Sequence, residues 1–403
     1  MGVYSCYEEF IIYPEPSSES FNFVMTFEQE ELIVNSRGQK HLITDPDPML
    51  FYDDKEYIVD RFQLRGANSL NFRRKSFSVN LDSKLAYYDM NENRERTIEK
   101  FKLISMVFDY TYIEEGIAIG IFSKLHLWSL FSFYTEVQLN NNTQGLYLFI
   151  EDPEDHFLYQ KNAAYILRRD YHNWISDSER NEIIPARTKE YYDDRFNHIY
   201  DLILDYSGRE LYDSLLNYLD FGEYCRKLAV DMLLKNGDYT DEIFFYTKEK
   251  EGKEVFGIAP WDYDDIFAEL PHEIGRTWGP GSKFGSRVYY SMDDIYADVG
   301  HVLLFSIEDD LDYKIATDSF LYNIYIGELA HLMEMIDNRV ISDIVSTVRD
   351  QLLPFYERQE IIDQSRYDER PTSMELFEVN LAEKEKFLID RRTWILQELD
   401  QNK

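Results

Sequence analysis

Two groups of carboxylates follow predicted secondary-structure elements and could hold a metal ion against phosphate. The first group lies where a predicted helix leads into a strand and consists of Asp238, Asp241 and Glu242. The second follows the next apolar strand and consists of Asp262, Asp264 and Asp265. Hard carboxylate oxygens suit magnesium or calcium. With 76 acidic residues in 403, one such group alone would be typical of a solvated turn, so the pair of groups is the informative feature.

The spacing of the two groups suits transfer of a phosphoryl group. Asp238 and Asp262 lie 24 positions apart, a length that fits a loop, a hairpin and a second loop returning both to one cleft. Phosphoryl transfer needs one carboxylate to orient or deprotonate the acceptor hydroxyl and others to hold metal against the phosphates. Protein kinases place these two aspartates across a short hairpin. The spacing therefore favours Asp238 for the acceptor and Asp262 for the metal.

A basic segment earlier in the chain could contact phosphate. The small residues of Arg65-Gly-Ala-Asn-Ser run into the cluster Arg73-Arg-Lys and then a strand. Small residues let backbone amides approach an anion, and the cations supply charge. An ordinary hairpin with a basic edge that discourages aggregation would explain the same residues. The residues alone leave both interpretations open.

The elements before this chemistry are mainly strands. Aromatic and alternating runs predict strands at 21–27 and 75–81. The clearest hairpin joins 133–139 to 146–150 through an Asn- and Gly-rich turn. Apolar residues at helical spacing between 112 and 131 predict one helix packed on the sheet.

The second half is predominantly helical. The pattern predicts helices at 197–204, 209–219 and 221–235, the last with Asp220 as N-cap. A strand pair is expected at 243–247 and 254–259, followed beyond 300 by helices interrupted at Pro354 and Pro371. The sequence therefore predicts an α+β, two-lobed fold. Its expected parts are an N-terminal extension (1–20), a sheet-rich nucleotide-binding lobe (21–175), a connecting segment (176–195) and a helical lobe with the carboxylates (196–403).

Composition restricts the partners. The formal charge of −34 disfavours nucleic acid and anionic membranes. It would attract a basic protein substrate, and acidity that simply maintains solubility explains the same composition. The two cysteines, Cys6 and Cys225, indicate no disulfide framework, and no apolar stretch is long enough for a membrane helix, so a cytoplasmic location is expected. The histidines lack HExxH spacing, which leaves His272 and the others as packing or surface residues. Neither a GxSxG elbow nor a GxxxxGK[ST] loop occurs.

Four motifs together resemble the CotH spore-coat kinase family. They are Arg65-Gly-Ala-Asn-Ser with Arg74-Lys-Ser-Phe, Gly145-Leu-Tyr-Leu-Phe-Ile-Glu, Asn236-Gly-Asp and Pro260-Trp-Asp-Tyr-Asp. Their order and spacing match the family, and the likeness extends to the helix that carries Arg391-Arg392. The resemblance implies an atypical protein-kinase fold, with sheet-rich and helical lobes, that binds ATP and Mg²⁺, with Mn²⁺ or Ca²⁺ as alternatives.

The resemblance also implies a role for individual residues. Lys75 would engage the nucleotide phosphates, and Glu151 would be a supporting acid. Asp238 resembles the catalytic aspartate, Asp262 the metal-binding aspartate and Asp264 a second metal ligand. The segment implied to lie near phosphate contains Arg65, Asn68 and Ser69.

Two departures from the family widen the functional alternatives. Glu242 stands where the family commonly has an asparagine and is expected to bind metal, and Ile113-Glu-Glu replaces an Arg-Asn pair at a helix start. The leading hypothesis is transfer of the γ-phosphoryl group to Ser or Thr of a protein, which the resemblance suggests is a spore-coat protein of a sporulating bacterium. The alternatives are an ATP-dependent protein glutamylase or self-glutamylase and a nucleotide-binding or inactive pseudokinase scaffold in coat assembly.

Overall fold

The computed structural model describes residues 20–89, 94–170, 172–184, 187–238, 243–272, 274–278, 281–368 and 371–401. The predictions made for the N-terminal extension, including Cys6, and for Asp241 and Glu242 lie outside these residues.

Most strands of the described chain lie in its first part, up to Arg180, and four further strands lie between Ile243 and Val288. They are β1 (Ser20–Val24), β2 (Leu42–Ile43), β3 (Met49–Tyr52), β4 (Lys55–Arg65), β5 (Ser76–Asp89), β6 (Arg94–Ile104), β7 (Ser132–Leu139), β8 (Asn142–Glu151), β9 (Tyr165–Arg169), β10 (Ile175–Arg180), β11 (Ile243–Lys250), β12 (Lys253–Pro260), β13 (Thr277–Trp278) and β14 (Arg287–Val288).

Helices dominate the second part. They are α1 (Phe27–Asn35), α2 (Glu114–Lys124), α3 (Pro153–Asp155), α4 (Lys189–Asp205), α5 (Gly208–Leu215), α6 (Phe221–Leu234), α7 (Met292–Val299), α8 (Asp310–Thr317), α9 (Ser319–Met335), α10 (Asn338–Tyr356), α11 (Gln359–Ile362) and α12 (Met374–Gln401). A π-helical turn follows α3 at His156–Gln160, and 3₁₀ turns occupy Asn68–Asn71 and Asp363–Asp368.

The chain divides into two compact units, each built from several stretches of sequence. The first unit comprises Met1–Tyr110, Leu130–Asp152 and Thr347–Met374. The second comprises Thr111–Ser129, Pro153–Ser346 and Glu375–Lys403. The predicted lobes, by contrast, were continuous stretches.

A closed sheet forms the first unit. Its strand order is β2-β4-β3-β1-β7-β8-β6-β5, and a further pairing of the last strand, β5, with β4 closes the sheet and leaves β2 as an additional strand on β4. The β1–β7 pair is parallel, whereas the other pairs are antiparallel. Alternating side chains of these strands point to one face, which lets the aromatic residues of the sequence fill a common core. That core contains Phe21, Phe23, Phe62, Phe77, Phe101, Phe133 and Phe149.

Helix α1 belongs to this unit and was not predicted, because the run of aromatic residues up to Phe27 was assigned to a strand. Thr26 and Gln29 form a capping box that starts the helix. The side-chain amide of Gln29 also donates to the carbonyls of Thr44 and Pro46, at 3.1 and 2.7 Å. The spacing Thr-x-x-Gln was the signal that could have revealed α1.

The second unit combines a small sheet with most of the helices. Its strands are ordered β10-β9-β11-β12, all antiparallel. Helix α6 is buried along nearly its whole length and packs against α9. Helix α12 buries Phe377, Leu381, Leu388, Ile395 and Leu399, which recur every four or seven residues along one face.

The predicted α+β class, with a sheet-rich N-terminal part and a helical C-terminal part, is confirmed. The hairpins β7–β8 and β11–β12 and the N-cap Asp220 of α6 are present as predicted. Pro354 does not interrupt α10, because it stands in the last turn, where a proline removes only one helical hydrogen bond. The segment at 176–195 is more than a connection, since it contains most of β10 and the first turns of α4.

Helix α2 confirms the predicted element but not its packing. The prediction placed it on the sheet of the first half, whereas α2 belongs to the second unit. In the described part of the chain, no helix is long and apolar enough to cross a membrane.

Candidate active site

The loop after α6 carries Asp238. Lys235 ends the helix in the left-handed conformation, and the N–H of Asn236 donates to the carbonyl of Asp231 at 3.2 Å. Asp231 is buried, pairs with Lys227 at 2.8 Å and accepts a hydrogen bond from the Tyr263 hydroxyl at 3.0 Å. This buried polar group holds the end of α6 in place, so the direction of the Asp238 loop is fixed.

The segment after β12 alternates between buried and accessible side chains. Trp261 and Tyr263 are buried, with ring contacts to Phe244 and Phe122 respectively. Asp262, which lies between them, is only partly buried and has a positive φ of 60°. The two buried aromatic residues anchor the segment, while Asp262 between them keeps part of its side chain accessible.

Backbone hydrogen bonds join these two loops directly. The N–H of Gly237 donates to the carbonyl of Asp265 at 2.9 Å, and the N–H of His272 donates to the carbonyl of Gly237 at 2.9 Å. The N–H of Phe267 reaches the carbonyl of Leu234 at 2.8 Å. The loop-hairpin-loop therefore returns on itself and brings Asp238 close to the 262–265 segment.

Gly237 is required by this close approach. A Cβ at this position would lie 2.2 Å from Asp265 Oδ2 and 2.8 Å from Ala268 Cβ. Both distances are far below van der Waals contact, so a side chain at position 237 would separate the two loops.

His272 bridges two carboxylates of the cluster. Its Nδ1 lies 3.2 Å from Asp238 Oδ2, and its Nε2 lies 2.7 Å from Asp265 Oδ2. Hydrogen bonds to Asp238 and Asp265 raise the pKa of His272 to about 10, so the imidazole is cationic at neutral pH. The sequence prediction of an isolated packing or surface role was wrong, since no local spacing relates His272 to residues that fold against it.

The carboxylates on this side are incompletely neutralised. Burial raises the pKa of Asp264 well above its ordinary value, and the nearby charges of Asp262, Glu115, Asp265 and Asp238 raise it further, in that order. Glu115 comes from the first turn of α2 and is itself buried. A divalent cation would relieve this repulsion, so the donor set fits a hard metal ion such as Mg²⁺.

The described residues contain no preformed group of three or more acidic, His or Cys side chains arranged to hold a metal ion. Magnesium commonly takes only one or two protein carboxylates and completes its shell with phosphate and water. Asp262 and Asp264 could supply those two carboxylates. Glu242, the third predicted ligand, lies outside the described residues.

The predicted phosphate-contacting residues belong to the first unit. Asn68 is exposed and Ser69 partly buried in the 3₁₀ turn that follows Arg65 at the end of β4. Lys75 is buried, and its ammonium group donates to the carbonyls of Leu70, at 2.5 Å, and Phe72. Burial, followed by repulsion from Arg37, lowers the pKa of Lys75 to about 8. The buried ammonium group of Lys75 thus stabilises the turn of the basic segment that precedes it.

Glu151 ends β8 and is completely buried. It pairs with Arg96 at 3.3 Å and accepts a hydrogen bond from the Phe131 N–H at 3.2 Å. These contacts hold the end of β8 against β6 and the chain before β7.

Two further arginines anchor α12 in the second unit. Arg391 donates to the carbonyl of Met232 at 3.1 Å, in the last turn of α6, and Arg392 donates to the carbonyl of Met333 at 2.7 Å, in the last turn of α9. Cations at helix C-termini satisfy carbonyls that lack helical partners. The Arg-Arg pair thus supports the helix from which the Asp238 loop emerges.

Comparison with solved structures gives low similarity. The proinflammatory kinase CtkA of Helicobacter pylori is 13% identical, with 78% of this chain and 91% of that chain covered and a TM-score of 0.34. A chain of the Shewanella oneidensis MR-1 HipA–HipB toxin–antitoxin complex with operator DNA is 14% identical, with 81% and 65% covered and a TM-score of 0.29.

Sequence comparison is more informative. Inner spore coat protein H of Bacillus subtilis (strain 168) is 21% identical over 250 residues, which are 58% of this chain and 63% of that protein. The match thus spans less than two thirds of the relative's length. The family model described as CotH kinase protein matches residues 62–395, well over half of the chain and including both carboxylate groups. The predicted resemblance is confirmed, and the chain belongs to the CotH kinase protein family.

Proposed function

We propose that this protein is an ATP- and divalent-metal-dependent protein kinase that transfers the γ-phosphoryl group to Ser or Thr of a basic protein substrate. The observation that carries the proposal is the backbone pairing of the 234–238 and 265–272 segments. That pairing sets Asp238 beside the 262–265 carboxylates in a chain of a kinase family.

Different aspartates of the candidate site have different roles in the proposed transfer. Asp238 orients the acceptor hydroxyl and accepts its proton, while Asp262 and Asp264 hold the metal ion. Such an ion, when bound with ATP, neutralises phosphate charge during transfer. His272 keeps the Asp238 carboxylate directed toward the 265–272 segment until a substrate competes for it.

The nucleotide is assigned to the basic segment of the first unit. Arg65, Asn68 and Ser69 provide a cation and small polar groups that suit phosphate oxygens. We assign Lys75 a supporting role, because its ammonium group is bonded to two carbonyls of the same segment. Glu151 supports the first unit through its pair with Arg96.

The spore coat is the proposed setting. One relative is named as an inner spore coat protein of Bacillus subtilis, and we carry that location over as a proposal. Coat proteins rich in Lys and Arg would be the substrates drawn to a chain with a formal charge of −34.

Intact-mass spectrometry tests the reaction class. The purified chain is incubated with ATP, MgCl₂, glutamate and a Lys- and Arg-rich protein, in parallel with the Asp238→Asn variant. We expect the substrate to gain phosphate with the unchanged chain and not with Asp238→Asn. A glutamate-sized addition would instead assign protein glutamylation, and the absence of any addition, with ATP still bound, would assign a nucleotide-binding scaffold.

A further inference from the structure

A pocket in the first unit gathers arginines around one tyrosine. The pocket has a volume of about 340 Å³ and is lined by Arg37, Asn71, Phe72 and Tyr367. The guanidinium carbon of Arg73 lies 3.8 Å from the centroid of the Tyr367 ring, and that of Arg366 lies 4.9 Å from it. Arg73 and Arg366 therefore flank one aromatic ring, and Arg37 lines the same pocket as that ring.

Hydrogen bonds hold the wall formed by Arg37 in place. Its guanidinium donates to the carbonyl of Asn71 at 2.9 Å, and the N–H of Gly38 donates to the carbonyl of Leu70 at 3.0 Å. The chain that follows α1 is thus joined to the 3₁₀ turn that precedes Arg73.

A buried ion pair holds the part of the pocket formed by Arg73 and Tyr367. Arg74 and Asp368, the neighbours of Arg73 and Tyr367, pair at 2.6 Å with both side chains almost completely buried. Arg73 and Tyr367, which are both partly buried, are thereby attached to a rigid support. A pocket fixed in this way is organised before any ligand arrives.

The arginines of the pocket have no acidic partner among the described residues. Arg37 donates to a backbone carbonyl, while Arg73 and Arg366 contact Tyr367, with Arg366 Nη2 at 3.1 Å from its hydroxyl. The chain has 76 acidic residues and only 42 Lys and Arg, so arginines without a carboxylate partner are unexpected in it. The described contacts of these arginines are a carbonyl for Arg37 and Tyr367 for Arg73 and Arg366, which indicates that the negative partner comes from outside the first unit's own side chains.

Positive charge from the arginines accumulates at this pocket. Hydrogen bonds from Arg366 and Arg73 lower the pKa of Tyr367, which means that they favour its anionic form. Arg37 also contributes to lowering the pKa of Lys75, after burial. Both effects report the same accumulation of positive charge.

We propose that this pocket binds a phosphoryl dianion, carried either by a phosphorylated Ser or Thr side chain or by a nucleotide. Guanidinium groups present paired N–H donors that match phosphate oxygens, and the ring of Tyr367 keeps two of them oriented. Arg37, Arg366 and Tyr367 lie outside the basic segment to which the nucleotide is assigned, whereas Asn71 and Arg73 lie within it, so the nucleotide alternative rests on the proposed function. Binding to the pocket can be measured without any catalysis.

Fluorescence anisotropy with the full chain tests the proposal. The probe is a labelled neutral peptide with one phosphoserine, compared with the same peptide carrying Ser or Glu at that position, at low salt with EDTA. We expect the phosphoserine peptide to bind about tenfold more tightly than either control, because charge-assisted bonds to phosphate are lost in both. The Arg73→Gln/Arg366→Gln double variant should abolish this difference.

The matched control is Arg61→Gln, which removes an exposed arginine of the same unit that donates to the side-chain oxygen of Gln63 at 2.6 Å. This control should keep the phosphoserine preference. Arg37→Gln serves as a second pocket variant if the double variant melts at a lower temperature. ATP and inorganic phosphate are added as competitors to identify the source of the phosphoryl group.

The outcomes separate clearly. Tight phosphoserine binding that depends on the arginines assigns the pocket to phosphorylated protein. ATP binding that depends on them, without phosphopeptide binding, keeps the phosphoryl site and assigns it to nucleotide. Equal affinity for the three peptides, together with ATP binding that the pocket variants leave unchanged, overturns the proposal.

Discussion

At the scale of single residues, the main finding is a protonated histidine shared between two aspartates. Asp238 and Asp265 both contact His272, at 3.2 and 2.7 Å. Asp262 and Asp264 stand on the same segment as Asp265, where charge repulsion favours a cation. The histidine supplies one positive charge beside Asp238, and the proposed metal would supply the remainder.

This ion pairing predicts a pH-dependent stability. The pKa of His272 is raised from 6.5 to about 10, so its stabilising contribution is complete below pH 6.5 and is lost as the pH rises through about 10. Between pH 7 and 10 in metal-free buffer, the Tm of the unchanged chain should fall more steeply than that of His272→Gln. Differential scanning calorimetry of both proteins measures this difference, and parallel Tm curves would show that the pairing does not stabilise the fold.

Gly237 gives a second prediction at this scale. Gly237→Ala forces a Cβ to within 2.2 Å of Asp265 Oδ2, so the two loops must move apart. We expect a loss of about 1–3 kcal/mol in the free energy of unfolding, typical of overpacking, and a larger loss of phosphoryl transfer.

Gly327→Ala is the matched control, because a Cβ there meets nothing within 4 Å and, as at Gly237, the backbone lies outside the left-handed region that penalises a side chain. Denaturant unfolding and transfer assays compare the two variants. Equal losses of activity in both would mean that the close approach at Gly237 is irrelevant to the site.

At the scale of elements, the sequence pattern predicted the features that depend on residues close together in the chain. The hairpin β11–β12 and the N-cap of α6 follow from turn residues and capping chemistry within a few positions. The closure of the first sheet by β4 and β5 has no local signal, because strand pairing is decided by residues far apart in the chain. The assignment of α2 to the first-half sheet was wrong for the same reason, because the contacts that place α2 in the second unit are also long-range.

The candidate site follows the same rule. Asp238 and the 262–265 aspartates could be selected from the sequence because a hairpin links them. His272 could not, since its contacts depend on how the chain beyond Ala268 turns back to Gly237. The hydrogen bonds from Lys75 to backbone carbonyls could not be predicted either, because the sequence shows a cation at this position but not the direction of its side chain.

At the scale of the whole molecule, charge is the dominant property. A formal charge of −34 acts over about a Debye length, roughly 8–10 Å at 0.10–0.15 M salt. The basic pocket around Tyr367 is a local exception within this acidic chain. On the proposed function, long-range attraction would draw basic substrates, while the pocket would bind a compact anion.

Salt should therefore control the encounter with substrate. We expect kcat/KM for a Lys- and Arg-rich protein to fall about tenfold between roughly 50 and 500 mM NaCl, while that for a neutral substrate changes little. Initial-rate assays at matched magnesium and ATP measure the effect. Identical salt dependence for the two substrates would show that the net charge of the chain does not select the substrate.

The most direct test of the central claim is magnesium-dependent transfer from γ-labelled ATP by the unchanged chain and by Asp262→Asn. The account predicts that Asp262→Asn folds with a similar Tm yet loses at least about 100-fold in kcat/KM, because a metal-holding carboxylate is missing in the transition state. It also predicts that Mg²⁺ with ATP raises the Tm of the unchanged chain more than that of the variant. Full magnesium-dependent transfer by Asp262→Asn would contradict the account.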